Sequence, residues 1–142
     1  MSEYYDALET REPGEREATL LAALPAQVAR AQATAAFAQI LAGVDAGAVR
    51  SRDALAALPV TRKSELLARQ KAAREAGGDP FGGFAAVGWA TLGSVRTARR
   101  VFQSPGPIYE PEGEARDYWR FGRALFAAGV RAGDLVDRKS VV

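Results

Sequence analysis

From residue 21 to residue 35 the apolar positions fall three or four apart: Leu21, Leu24, Val28, Ala31 and Ala35. That spacing predicts one face of an α-helix beginning after Pro13-Gly14. Pro25 lies inside the pattern and is expected to kink or split the helix, because it has no N–H and its ring crowds the preceding turn. Phe37, Ile40, Leu41 and Val44 extend the stripe, and Gly43 with residues 45–47 ends it. The whole stripe reads as a face packed on a core. Ser51 is placed to cap a short helix reaching Leu58 and stopped by Pro59. Thr61 is expected to cap another over 62–74, with Leu66 and Leu67 inward and Arg62, Lys63, Arg69, Lys71 and Arg74 outward. Five cations on one helix could bind phosphate, but interleaved Glu65 and Glu75 favour a solvated face.

From Gly77 the pattern changes. Gly77-Gly78-Asp79-Pro80-Phe81-Gly82-Gly83-Phe84 is turn-rich and fits no regular element. It does not match G-x-G-x-x-G, and no strand precedes it, so a dinucleotide loop is not indicated. Arg96, Arg99 and Arg100 precede Val101-Phe102, which is expected to open a short strand. A loop over 104–109 and the acids Glu110, Glu112 and Glu114 follow. Tyr118, Phe121, Leu125 and Ala128 then mark one face of a helix over 117–128, ended by Gly129. Residues 130–136 are expected to form a strand.

Composition changes this picture mainly by exclusion. The chain has 142 residues, 48% of them hydrophobic, enough for one domain with a real core. Nineteen basic and seventeen acidic residues leave a net charge of +2, so bulk electrostatics give no support to nucleic-acid binding. There is no Cys, His or Asn, which excludes disulfides, zinc sites and imidazole or thiol catalysis. Thirty alanines, and sixteen arginines against three lysines, reflect GC-rich coding rather than function. The longest uncharged run, residues 80–95, contains four glycines and is too short to span a bilayer. With Glu3 and Asp6 near the start there is no basic, apolar leader, and a soluble, cytoplasmic chain is expected.

Without His or Cys, catalysis would rest on carboxylates, Lys, Tyr or Ser. The three glutamates after Tyr109 are expected to be solvent-exposed in a Pro/Gly-rich loop. Only the 104–109 loop could gather amides and hydroxyls on an anion. Pro105 and Pro107 remove two donors, and Glu110 and Glu112 would repel phosphate.

Four collinear stretches resemble the N-terminal part of the phenylacetate–CoA ligase family of adenylate-forming (AMP-binding) enzymes. The helix ending at Phe37 to Leu41 is similar to the family's opening helix. Leu58-Pro59-Val60-Thr61-Arg62-Lys63-Ser64-Glu65-Leu66 resembles its LP-hydrophobic-T-x-K-x-x-L segment. Asp79-Pro80-Phe81-Gly82-Gly83-Phe84-Ala85 resembles its Y-P-F-G-x-F-A turn. Asp117-Tyr118-Trp119, then Ala127-Ala128-Gly129-Val130-Arg131-Ala132-Gly133-Asp134-Leu135-Val136, resembles the helix and A-G-V-R-P-G-D-V-V strand after its phosphate loop.

The resemblance implies an α/β fold: the helix-rich N-terminal portion of the ligase's large domain, truncated after the first strands of a doubly wound sheet. The implied divisions are a flexible lead (1–14), a helical segment (15–100) and the start of the AMP-binding domain (101–136). The implied reaction joins ATP and a small carboxylic acid, aromatic in the family's name, into an acyl-adenylate. Coenzyme A then displaces AMP, with Mg²⁺ screening the phosphates. Neither nucleic acid nor membrane is an expected partner.

At the phosphate-loop position only Ser104 and Gly106 match, as candidate cofactor-binding residues; the family's Thr pair and Lys have no counterpart. No catalytic or metal-binding residue is assigned. Residues 137–142, DRKSVV, are what GAT-CGG-AAG-AGC-GTC-GTG encodes, the start of a common sequencing adapter, and are expected to be its translation. The fragment alone is expected to be inactive. The competing expectations are a helical interaction module using the Leu21/Leu24/Val28 stripe and a nucleic-acid binder using Arg96, Arg99 and Arg100.

Overall fold

The computed structural model describes residues 3–87 and 98–135, and these form a mixed α and β chain. The first helix, α1 (Pro13–Gln32), begins with Pro13 in its first turn, where a missing N–H costs nothing. Glu15 near its start and Arg30 near its end complement the helix dipole. Of the kink or split expected at Pro25, the split does not occur: α1 runs through it as one helix. Leu24 and Val28, on either side, are held in the core, and their burial offsets the one lost backbone bond.

The core is small. Val28, Leu41 and Val49 are buried, with Leu24, Ala31, Phe37, Ile40, Val44 and Leu58 packed around them. The stripe is therefore real, but Ala35 is exposed because α1 stops at Gln32 and α2 (Ala35–Ile40) starts afresh. The Gln32 amide donates to the carbonyls of Leu41 and Val44, at 3.2 and 2.9 Å, tying the end of α1 to the turn after α2. Ser51 caps α3 (Arg52–Ala56) as expected, accepting from the Ala54 N–H at 3.1 Å. In α4 (Lys63–Glu75) the cap position is Arg62, not Thr61, and the Glu65 carboxylate reaches back to the Arg62 N–H at 3.3 Å.

The glycine-rich turn after α4 joins two helices. Asp79 organises it, its carboxylate oxygens accepting from the N–H groups of Phe81 (3.0 Å) and Gly83 (2.7 Å). Gly82 adopts φ +65 directly against α4; a Cβ there would lie 3.0 Å from the Gln70 nitrogen and 3.2 Å from the Arg69 carbonyl carbon. The Gly83 carbonyl accepts from the Ala36 N–H at 2.9 Å, linking the turn to α2. Phe81 is almost fully buried, and Phe84 meets Phe37 edge to face.

The expected strand at Val101 is present as β1 (Arg100–Ser104), but it returns at once as β2 (Ile108–Glu112). The two pair antiparallel, Arg100 opposite Glu112 and Ser104 opposite Ile108. The sheet among the described residues is this hairpin, not a parallel doubly wound array. Glu110 and Glu112 thus lie on a strand rather than in a loop.

Two further expectations fail here. The helix anticipated over 117–128 is only α5 (Gly122–Ala127), because Asp117 and Arg120 take left-handed conformations, φ 50 and 54, which a helix excludes. Asp117 instead caps the later start, accepting from the N–H groups of Phe121 and Gly122. Gly129 ends α5 as expected, with φ 95 and the Val130 N–H bonded to the Leu125 carbonyl. Residues 130–135 form a turn closed by Asp134 on the Arg131 N–H, not a strand. Val136, the six residues assigned to adapter, and Arg96 lie outside the described residues.

Tyr5 and Asp6, expected within a flexible lead, contact α5: the Arg123 guanidinium grips Asp6, and the Tyr5 ring meets Phe126. No helix among the described residues is long and apolar enough to cross a membrane.

Candidate functional site

The hairpin carries both candidate cofactor-binding residues. Ser104 closes β1, and Gly106, with φ +108 and open space around it, stands at the tip between Pro105 and Pro107. Antiparallel pairing decides how many amides the tip can offer. Both backbone groups of Tyr109 bond away from β1, to Gln70, so Gln103 and Tyr109 form a non-hydrogen-bonded pair. The next pair, Ser104 and Ile108, then exchanges both its backbone bonds, and the Ser104 N–H is spent on closing the hairpin. The two prolines have none. Only the Gly106 N–H remains, too little to cradle a triphosphate.

The surroundings are also unsuited to phosphate. Ser104 shares a depression of about 480 Å³ with Glu110, Phe102, Trp119 and Phe121. Ile108, where a lysine would stand in the family's loop, is only 6% exposed. A lysine there would be buried rather than aimed at a ligand.

The acidic run is not uniformly solvated, contrary to expectation. Glu110 and Glu114 are exposed, but Glu112 is buried, accepting from the Trp119 indole N–H at 3.1 Å and pairing with Arg100 at 3.9 Å. Glu110 and Glu112 share one face of β2, and the contacts with Trp119 and Arg100 set Glu112 apart. Among the described residues no group of three or more carboxylates is arranged to hold a metal ion.

Beneath the hairpin lies a cleft of about 260 Å³ between α4, the 79–84 turn and the 117–119 loop. Leu66, Phe81, Phe84 and Ile108 supply apolar walls, and Tyr109 and Trp119 add flat aromatic surface. Gln70 is the key residue, and sequence reasoning missed it. At 2% exposure its amide accepts from the Tyr109 N–H at 2.8 Å and donates to the Tyr109 carbonyl at 2.9 Å. A second donation reaches the Phe81 carbonyl at 3.4 Å. The side chain substitutes for one residue of a third strand. The available signal was its place four residues after Leu66 and three after Leu67, on the inward face of α4.

Arg74 also departs from expectation. It is half-buried, its guanidinium 4.7 Å from the centre of the Tyr109 ring, instead of facing solvent. The cleft therefore has shape and aromatic surface suited to holding a flat apolar group.

No family model matches the chain, and neither the curated proteins nor the solved structures contain a match to it.

Proposed function

We propose that this chain is the N-terminal part of an ATP-dependent, AMP-forming carboxylate–CoA ligase resembling phenylacetate–CoA ligases. Four motif-bearing stretches in family order carry the reading. Packing between them adds support: Gly82 and Gly83 of the third stretch seat the turn on α4, which the second stretch opens, and on α2, which holds the first. A shared scaffold is one physical reason for those segments to occur together. Phe121, Leu125 and Leu135 are exposed apolar side chains on which a further layer of such a fold could pack.

In this reading the chain supplies scaffold and an aromatic-lined cleft. ATP, the carboxylic acid and coenzyme A are held mainly by other segments, because the hairpin tip keeps one free amide. The 142 residues by themselves are inactive. The test is trapping of acyl-adenylate with hydroxylamine across a panel of aromatic and aliphatic acids. The reading expects no hydroxamate from the 142-residue chain and ATP-dependent hydroxamate from the reading frame continued in genomic DNA. Hydroxamate from the short chain, or none from the continued one, overturns it.

The alternative of a helical interaction module would use the Leu21/Leu24/Val28 stripe. Val28 is buried in the chain's own core and Leu24 packs partly against it, while Leu21 and Leu24 also line an open apolar groove with Leu20 and Leu55.

A further inference from the structure

Three arginines from one short stretch converge away from the hairpin. Arg116, Arg120 and Arg123, with Tyr5, Asp6 and Asp117, line a pocket of about 230 Å³ between the N-terminal segment and the start of α5. Both carboxylates are already engaged. Asp6 accepts from Arg123 at 2.8 and 3.3 Å, and one oxygen of Asp117 accepts from two backbone N–H groups at 2.9 and 3.1 Å. Among the described residues, no hydrogen bond or ion pair engages the guanidinium of Arg116 or Arg120. The pocket therefore carries three positive and two negative groups, a net charge of +1, with the guanidinium groups of Arg116 and Arg120 free of direct partners.

Its shape is maintained by backbone choices. A Cβ on Gly122 would lie 2.9 Å from both the second Asp117 oxygen and the Tyr5 hydroxyl, so the missing side chain lets Asp117 and Tyr5 close in on the start of α5 and form one wall of the pocket. Asp117 and Arg120 both hold positive φ values that non-glycine residues rarely adopt. Strain of this kind concentrates at binding sites.

We propose that this pocket binds a diphosphate group. Each free guanidinium offers a planar fork that matches two oxygens of one phosphoryl group, and two forks match two such groups. Attraction by the net positive wall grows with ligand charge, which favours diphosphate over a monocarboxylate. The inference stands apart from the ligase reading, whose expected phosphate segment is the hairpin tip.

The test is isothermal titration of the 142-residue chain with pyrophosphate, ADP and AMP at low salt. Pyrophosphate and ADP bind, and AMP binds roughly tenfold more weakly, as loss of one forked contact requires. ADP binding tighter than pyrophosphate identifies a nucleoside carrier; equal or weaker binding identifies free diphosphate. Arg116→Ala/Arg120→Ala lowers affinity by roughly a hundredfold, Arg116→Lys/Arg120→Lys recovers part of it, and Arg30→Ala on α1 changes nothing. Both arginines are exposed, so the alanine pair retains the wild-type circular dichroism spectrum. AMP binding as tightly as ADP, unchanged affinity in the alanine pair, or no heat from pyrophosphate overturns the proposal.

Discussion

At the scale of single residues, Gln70 and Gly82 have the clearest consequences. The Gln70 amide is the partner of both backbone groups of Tyr109, on the edge of β2 that β1 does not cover. Truncating it leaves a donor and an acceptor unsatisfied in a half-buried setting. Gln70→Ala should cost about 2–4 kcal/mol in urea unfolding, whereas Gln39→Ala, on the exposed side of α2, should cost less than about 1 kcal/mol. Equal effects would show that the amide is not a structural partner of β2.

The glycines permit a sharper comparison. Gly43 and Gly82 share the left-handed conformation, but a Cβ meets nothing at Gly43 and meets α4 backbone at Gly82. Gly43→Ala should cost about 1–2 kcal/mol from conformation alone. Gly82→Ala adds a clash that only movement of α4 relieves, for a total of about 3 kcal/mol or more. Thermal melts of the two variants in parallel decide whether the turn is as tightly seated as its contacts imply.

At the scale of elements, periodicity revealed the helical face, and local chemistry set its limits. Leu21, Leu24, Val28 and Ala31 read correctly as one side of α1, since four residues of a single helix need no long-range information. At Pro25 the expected alternatives are a kink and a split, and the split is absent because packing of Leu24 and Val28 opposes it. Pro25→Ala should therefore stabilise the chain by about 2–3 kcal/mol, recovering a helix bond that the core already holds in place. Destabilisation on replacing Pro25 would mean that α1 depends on a bend there.

The C-terminal helix was overextended for the opposite reason: Tyr118, Phe121 and Leu125 keep helical spacing, but 117–120 is held as a turn by the Asp117 carboxylate. The hairpin partner of β1 was invisible because Pro105, Pro107 and Pro111 made β2 look like loop. The role of Gln70 was hidden because its partner lies 39 residues away. The hairpin's candidate residues, Ser104 and Gly106, were placed close together as their sequence spacing suggested, yet the bonding that consumes the Ser104 amide emerges only with strand register.

Docking of the N-terminal segment belongs to the same scale. The Arg123 hydrogen bond, ahead of the opposing effect of burial, holds the Asp6 carboxyl below its ordinary range. Its contribution is present above the unfolded carboxylate pKa and is lost as the pH falls through the lower folded value. Contacts of residues 3–10 with α5, followed by NMR, should persist at neutral pH and loosen at strongly acidic pH. The Glu9 carboxylate also holds this segment, accepting the Tyr5 N–H, so Asp6→Asn is the control that isolates the Arg123 contact. If wild type and Asp6→Asn lose those contacts over the same pH range, the ion pair is not what docks the segment.

At the scale of the whole molecule, two features stand together. The buried apolar residues fall in two places, Val28, Ala36, Leu41 and Val49 among the first helices and turns and Phe81 and Ile108 beneath the hairpin, while Phe102, Trp119, Phe121 and Leu125 remain at the surface around it. The exposed aromatic and aliphatic side chains around the hairpin form a surface on which additional structure could pack. The described residues include no group of three or more carboxylates arranged to hold a metal ion, and in the proposed carboxylate–CoA ligase the adenylating groups lie in other segments. ATP–pyrophosphate exchange driven by a carboxylic acid tests this most directly. The account predicts no acid-dependent exchange by the 142-residue chain and clear exchange once the reading frame is continued in genomic DNA; exchange by the short chain, or its absence from the continued one, would contradict it.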